Sequence, residues 1–181
     1  MQHIEATGVG DVLLKGAGKT EKEDVGMTGF MTLDVYDKDG KLKAHRESEQ
    51  HNMITDAGKA IMSGLLLSDV GGIAFHYIAI GIGTAAAAHT DTALGSEITT
   101  FGGARKAGTG SQTQTTYAND TSVITTTFTF TTGASFVITE AGVFNASSGV
   151  TMLCRQVFAA VNVGDTDTLA LTWKIVFSAA T

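Results

Sequence analysis

The stretch GAGKT at positions 16–20 has the residue types that cradle a phosphate: glycines for close backbone approach, a lysine for charge and a threonine for magnesium. The full phosphate loop also requires a glycine five residues before Gly18, and that position is Leu13. It requires a helix to follow, yet EKEDVGMTG is a poor helix former. GIGTAA at 81–86 follows an apolar run, as a dinucleotide-binding turn would, but its third glycine is replaced by Ala86 and no βαβ unit surrounds it. Gly81 and Gly83 read instead as a bend or close-packing site at a strand end. DKDG at 37–40 has the acids of half a calcium loop. The complete loop needs an acid at position 35, which is Val35, and a glutamate at 46, which is Arg46, so a hairpin turn is the better fit.

The remaining reactive types are scattered. His3, His45, His51, His76 and His89 show no pair at metal-ligand spacing, and His76, between Phe75 and Tyr77, reads as a structural histidine on a strand. Serines occur, but none in a nucleophile motif such as G-x-S-x-G. The single cysteine, Cys154, has no internal disulfide partner and sits in the apolar run TMLCRQVF, where a buried thiol acts as a small hydrophobe. Glu140 is the one acid in a mostly apolar segment, and nearby serine, threonine or backbone groups could satisfy it. No catalytic, cofactor-binding or metal-ligating residue is assigned, no cofactor is expected, and the chain reads as a non-enzyme.

The elements around these residues are mostly strands. Met31, Leu33 and Val35 alternate with Thr32, Asp34 and Tyr36, Asp39-Gly40 supplies a tight turn, and the charged KLKAHRESE returns as an edge strand. Thr55 or Asp56 caps a short helix whose apolar face is Ala57, Ala60, Ile61, Gly64 and Leu65. Ser68-Asp69 and Gly71-Gly72 stop it, and so short a helix must pack on the sheets to persist. From residue 73 onward the pattern is β: IAFHYIAIGIG, SVITTTFTFTT, SFVITEAGVFN, TMLCRQVFAAV and DTLALTWKIVFSA, with one helical turn expected near Leu94. In the second of these Ile124, Thr126, Phe128 and Phe130 face one side, and Thr125, Thr127, Thr129 and Thr131 the other. The expected fold is mainly β, a sandwich or jelly-roll-like domain over 28–181 with one capping helix. Residues 1–27, Gly-rich and polar with one apolar island at Val12-Leu13-Leu14, read as an extended N-terminal arm of the kind that orders against a partner or a neighbouring subunit.

Composition narrows the function classes. The 181 residues carry a net charge of −6, and the only basic cluster, Lys41-Leu42-Lys43 with Arg46, is diluted by Glu47 and Glu49, which argues against a nucleic-acid partner. No apolar run reaches the roughly 20 residues that span a bilayer, and the N-terminus lacks the basic start and apolar stretch of a signal peptide, so the expected product is a soluble protein made in a cytoplasm.

The order of the motifs TLDVYDKDGKLK, HNMITDAGKAIMSGLL, YIAIGIGTAAAAHTDTALGSEI, ITEAGVFN, MLCRQVF and DTLALTWKIVFS resembles a family of small tailed-bacteriophage structural proteins, over roughly residues 29–178. Asn52, Thr55, Gly81, Gly83, Glu140, Gly142 and Asn145 carry the resemblance and read physically as turn and cap residues. The resemblance implies a virion component with no enzymatic mechanism to transfer. The leading expectation is a capsid decoration (cement) protein, bound to the major capsid protein as a homotrimer and stabilising the mature shell by multivalent contacts. A tail component, such as a fibre-base or tail-tip protein, is the alternative in the same class. A carbohydrate- or receptor-binding module is the alternative in another, weakened by the scarcity of aromatics. The Thr-lined strand and the Ala-rich loop 84–88 are the expected contact surfaces.

Overall fold

A computed structural model of the chain describes residues 25–47, 51–66, 72–149 and 151–179. GAGKT, His3, the Val12–Leu14 island and Ser68, Asp69 and Gly71 lie outside the described residues. Among the described residues, ten strands form two antiparallel five-stranded sheets, a β-sandwich, with one helix. The first sheet contains β1 (Val25–Tyr36), β2 (Leu42–Glu47), β6 (Thr109–Thr113), β7 (Thr121–Thr129) and β10 (Thr168–Ala179), in the order β2-β1-β10-β7-β6. The second contains β3 (Met53–Ile54), β4 (Tyr77–Gly81), β5 (Lys106–Ala107), β8 (Ser135–Phe144) and β9 (Met152–Gly164), in the order β3-β9-β8-β4-β5. Since β1 begins at Val25, the last three residues of the stretch read as an arm belong to the sheet, pairing with Phe177–Ala179.

Alternation explains the core. Met31, Leu33 and Val35 on β1, Leu169, Leu171 and Trp173 on β10, and Ile124 and Phe128 on β7 point inward. They meet Ile78 and Ile80 of β4, Ile138 and Val143 of β8, and Val161 and Val163 of β9 in one cluster. The threonines at 125, 127, 129 and 131 face outward, as their period of two requires. The hairpin of β1 and β2 closes as expected: the Asp37 carboxylate accepts from the backbone N–H groups of Asp39 and Lys41, and Gly40 has φ +78°. The charged β2 is an edge strand.

The helix α1 (Asp56–Leu65) is capped by Thr55, whose hydroxyl accepts from the Gly58 N–H and donates to the Met152 carbonyl. It sits on β9 through Gly58, where a Cβ would lie 2.6 Å from the Leu153 carbonyl oxygen. The expected apolar face is only half-covered: Gly58 is the one buried helical residue, and Leu65 is 43% exposed.

Two further expectations are corrected. Leu94 is buried, but in a loop with no helical turn, because its neighbours Gly95 and Ser96 give their N–H groups to Glu140 instead of to a helix. β4 begins at Tyr77, leaving His76 exposed at its mouth and not part of a packed strand. β1, β9 and β10 are the long strands, at 12, 13 and 12 residues.

Candidate functional site

The outer face of the second sheet carries a buried charge cluster. A register irregularity between Ile138 and Glu140 changes the phase of β8, so that Ile138 points into the core while Glu140 points to the opposite face. There Glu140 is fully buried under the loop that follows β4. One of its carboxylate oxygens accepts from the N–H groups of Gly83 at 2.9 Å and Ser96 at 2.8 Å. The other accepts from the Gly95 N–H at 3.0 Å and from the Arg155 guanidinium, through Nε at 2.9 Å and a terminal nitrogen at 2.8 Å. Arg155, on β9 and 3% exposed, also donates to Asp91 at 2.8 Å and to the Ala85 carbonyl at 3.0 Å.

Burial pushes the Glu140 carboxyl up, but the N–H groups of Ser96 and Gly95, the Arg155 guanidinium and the Gly83 N–H outweigh it, and the net shift is downward. Asp91 is also lowered: burial raises it, and the Ala88 N–H and Arg155 outweigh that effect. Both carboxylates are therefore held charged. The acceptor positions of Glu140 are filled by fixed protein donors, and one oxygen of Asp91 is held by the Ala88 N–H and Arg155, so the cluster works as a strut pinning loop 82–96 to β8 and β9. A general acid or base would need a lone pair or proton free for an incoming group. Gly81 and Gly83 are required here, because a Cβ at either would run into the Glu140 carboxylate.

A second arginine fastens the rest of this loop layer. Arg105 forms a forked pair with Glu97, at 3.0 and 2.7 Å, and donates to the Ala146 and Gly149 carbonyls. Its guanidinium lies 3.6 Å from the centre of the Phe144 ring. Beneath it, Leu94, Phe144 and Met152 form a small satellite core with Ala79.

The seven residues that carry the family resemblance separate by role. Thr55 is a cap, and Asn145 is a turn residue whose side chain accepts from the Thr151 N–H. Gly81 and Gly83 are the close-packing positions expected at the end of β4, and for Glu140, which anchors the charge cluster, the turn-and-cap reading is corrected. Gly142 is likewise not a turn: it lies mid-strand, with the Leu94 side chain and the Cys154 carbonyl against it. Asn52 is buried beside Gly29, with which it forms an isolated bridge. Cys154 is fully buried, and burial pushes its thiol up, so it is inert as a nucleophile. No group of three or more His, Cys, Asp or Glu side chains able to hold a metal occurs among the described residues.

On the opposite side of the sandwich, register places threonines side by side across the first sheet. Thr32 pairs Thr172, Thr172 pairs Thr125, and Thr125 pairs Thr109, a row spanning four strands. Thr127 and Thr129 extend it along β7. This gives a lattice of short, branched side chains, with neighbours about 4.8 Å apart across strands and roughly 6.7 Å along them. Charged groups flank the row: Glu47 on β2 stands opposite Thr32, Lys174 lies two residues from Thr172 on β10, and Asp34 on β1 pairs with His45, where the carboxylate raises the imidazole's proton affinity. The Ala-rich segment 84–88 belongs to the other face, and its backbone is held by Arg155. The two expected contact surfaces are thus separate. Comparison with protein-family models, with curated proteins and with solved structures finds no match to this chain.

Proposed function

We propose that this protein is a bacteriophage capsid decoration protein, which binds the outer capsid surface through the threonine lattice of its first sheet and stabilises the mature shell. The observation that carries the reading is that threonine lattice, the row Thr32–Thr172–Thr125–Thr109 with Thr127 and Thr129. Short branched side chains lose little rotamer freedom on contact and let another flat surface approach closely. The order of motifs in the sequence supports a virion role, and the saturated charge cluster supports a stiff scaffold that acts without turnover.

Size explains why binding would be multivalent. Nine residues on each of β1, β10 and β7 with the five of β6 cover on the order of 510 Å². A stable interface buries about 800 Å² per partner, so one such face binds weakly. A trimer engaging three equivalent capsid sites multiplies the single-site affinity through effective concentration. Binding only the mature lattice then stabilises that lattice by mass action.

The test is co-sedimentation of the purified protein with mature shells that lack it. Saturable binding at a fixed ratio to capsid subunits is expected. Thr125→Glu with Thr172→Glu, both on the outer face, is expected to abolish it while leaving the fold intact, and Ser147→Glu with Ser148→Glu on the exposed turn after β8 is expected to leave it unchanged. Binding that ignores the threonine substitutions would assign the contact to another face, and no binding to shells would remove the capsid reading.

A further inference from the structure

Among the described residues, apolar depressions run alongside α1. One depression of about 270 Å³ reaches from Met62 and Phe75 down to the core residues Val143, Leu153 and Ile175. A second of about 420 Å³ continues it past Met27 and Leu66. Met62 and Phe177 line both, so the two form one apolar groove. Leu65 and Leu66 stand on its rim at 43% and 84% exposure. A ten-residue helix is marginal in water unless its apolar face is covered, and here that face is half-open.

We infer that the groove is the seat of the chain's own Val12-Leu13-Leu14 segment. Three observations on this chain point to that occupant. Met27 of β1 lines the groove, so the stretch that precedes β1 enters the sheet beside it. Val12-Leu13-Leu14 is the only run of consecutive apolar side chains of this size among residues 1–24. The eleven steps from Leu14 to Val25 reach at most about 40 Å, against a helix only about 15 Å long, so the segment reaches every part of the groove. A tether this short gives an effective concentration in the millimolar range, which favours the chain's own segment over that of another copy. The inference is independent of the capsid reading, which rests on the other face of the first sheet.

The test uses full-length chains. Leu13→Cys with Leu66→Cys, oxidised under mild conditions, is expected to close an intramolecular disulfide about tenfold faster than Leu13→Cys with Thr113→Cys, whose second position is also exposed and within reach. The native Cys154 is buried and stays out of the reaction. Equal rates in the two variants would overturn the inference. Disulfide-linked dimers would overturn it too, by showing exchange between copies. As a second measurement, Leu13→Asp with Leu14→Asp is expected to speed amide exchange across residues 58–66 about tenfold. Unchanged exchange there would mean that something else, or nothing, occupies the groove.

Discussion

Replacing Arg155 by methionine, which keeps the length of the side chain and removes its charge, tests whether the buried cluster holds the loop layer. Arg155 gives two bonds to Glu140, one to Asp91 and one to the Ala85 carbonyl, at 3% exposure. Bonds to charged groups are worth about 1.5–3 kcal/mol each when taken singly, but they are not additive within one cluster. Breaking a buried pair by removing one partner costs about 3–5 kcal/mol, because the other charge stays buried. Glu140 keeps its three backbone donors, which places the expected loss toward the lower end, about 3 kcal/mol. For a domain of this size that lowers Tm by roughly 6–12 °C. Arg155→Met combined with Glu140→Gln is expected to lose less than the sum of the two single changes, with a coupling of about 2 kcal/mol. Because the Glu140 carboxyl is lowered by folding, its contribution is fully present above its ordinary 4.5 and is lost as pH falls through the folded-state value. Urea denaturation of the four proteins at pH 7 and below pH 4 measures both effects. A loss under 1 kcal/mol for Arg155→Met, or strict additivity in the cycle, would refute the strut.

Three other perturbations follow from local geometry. Gly83→Ala drives a Cβ into the pinned Glu140 carboxylate and is expected to cost about 1–3 kcal/mol in thermal unfolding, with faster amide exchange in loop 82–96. Thr55→Ala removes both the cap and the bond to Met152, for an expected loss of about 1–2 kcal/mol, and circular dichroism should show less helix. The Asp120 carboxyl accepts from the N–H groups of Thr115, Thr116 and Tyr117 and from the Thr121 hydroxyl; burial raises it, these donors outweigh that, and it is held down to about 2 from 3.8. Its stabilisation is therefore full above 3.8 and disappears as pH falls toward 2, and Asp120→Asn should flatten stability over that window, as read by acid titration of near-ultraviolet circular dichroism.

Where a local rule sufficed, the sequence announced the structure. The alternation in β7, the Asp37–Gly40 turn and the Thr55 cap each depend on a few adjacent residues, and each is found where the pattern placed it. The charge cluster was half-legible. Glu140 stood out as an acid in an apolar strand, but Arg155 passed as part of the apolar run TMLCRQVF. A lone cation and a lone anion in two neighbouring apolar strands are the signal that could have paired them. The loop layer over 82–105 was not legible, because its order comes from donors that only converge after folding. β6 was equally hidden: TGSQT is exposed throughout and is a strand only because β7 offers it an edge. The open face of α1 was missed because periodicity says which side is apolar, not whether the fold supplies enough surface to cover it.

The most direct measurement is electron-microscopic imaging of phage particles made with and without this protein. Decoration predicts that density disappears from the outer capsid surface at symmetry-related positions, in clusters of three, and that the undecorated shells rupture at lower temperature. Density lost from the tail, or particles identical in both preparations, would contradict it.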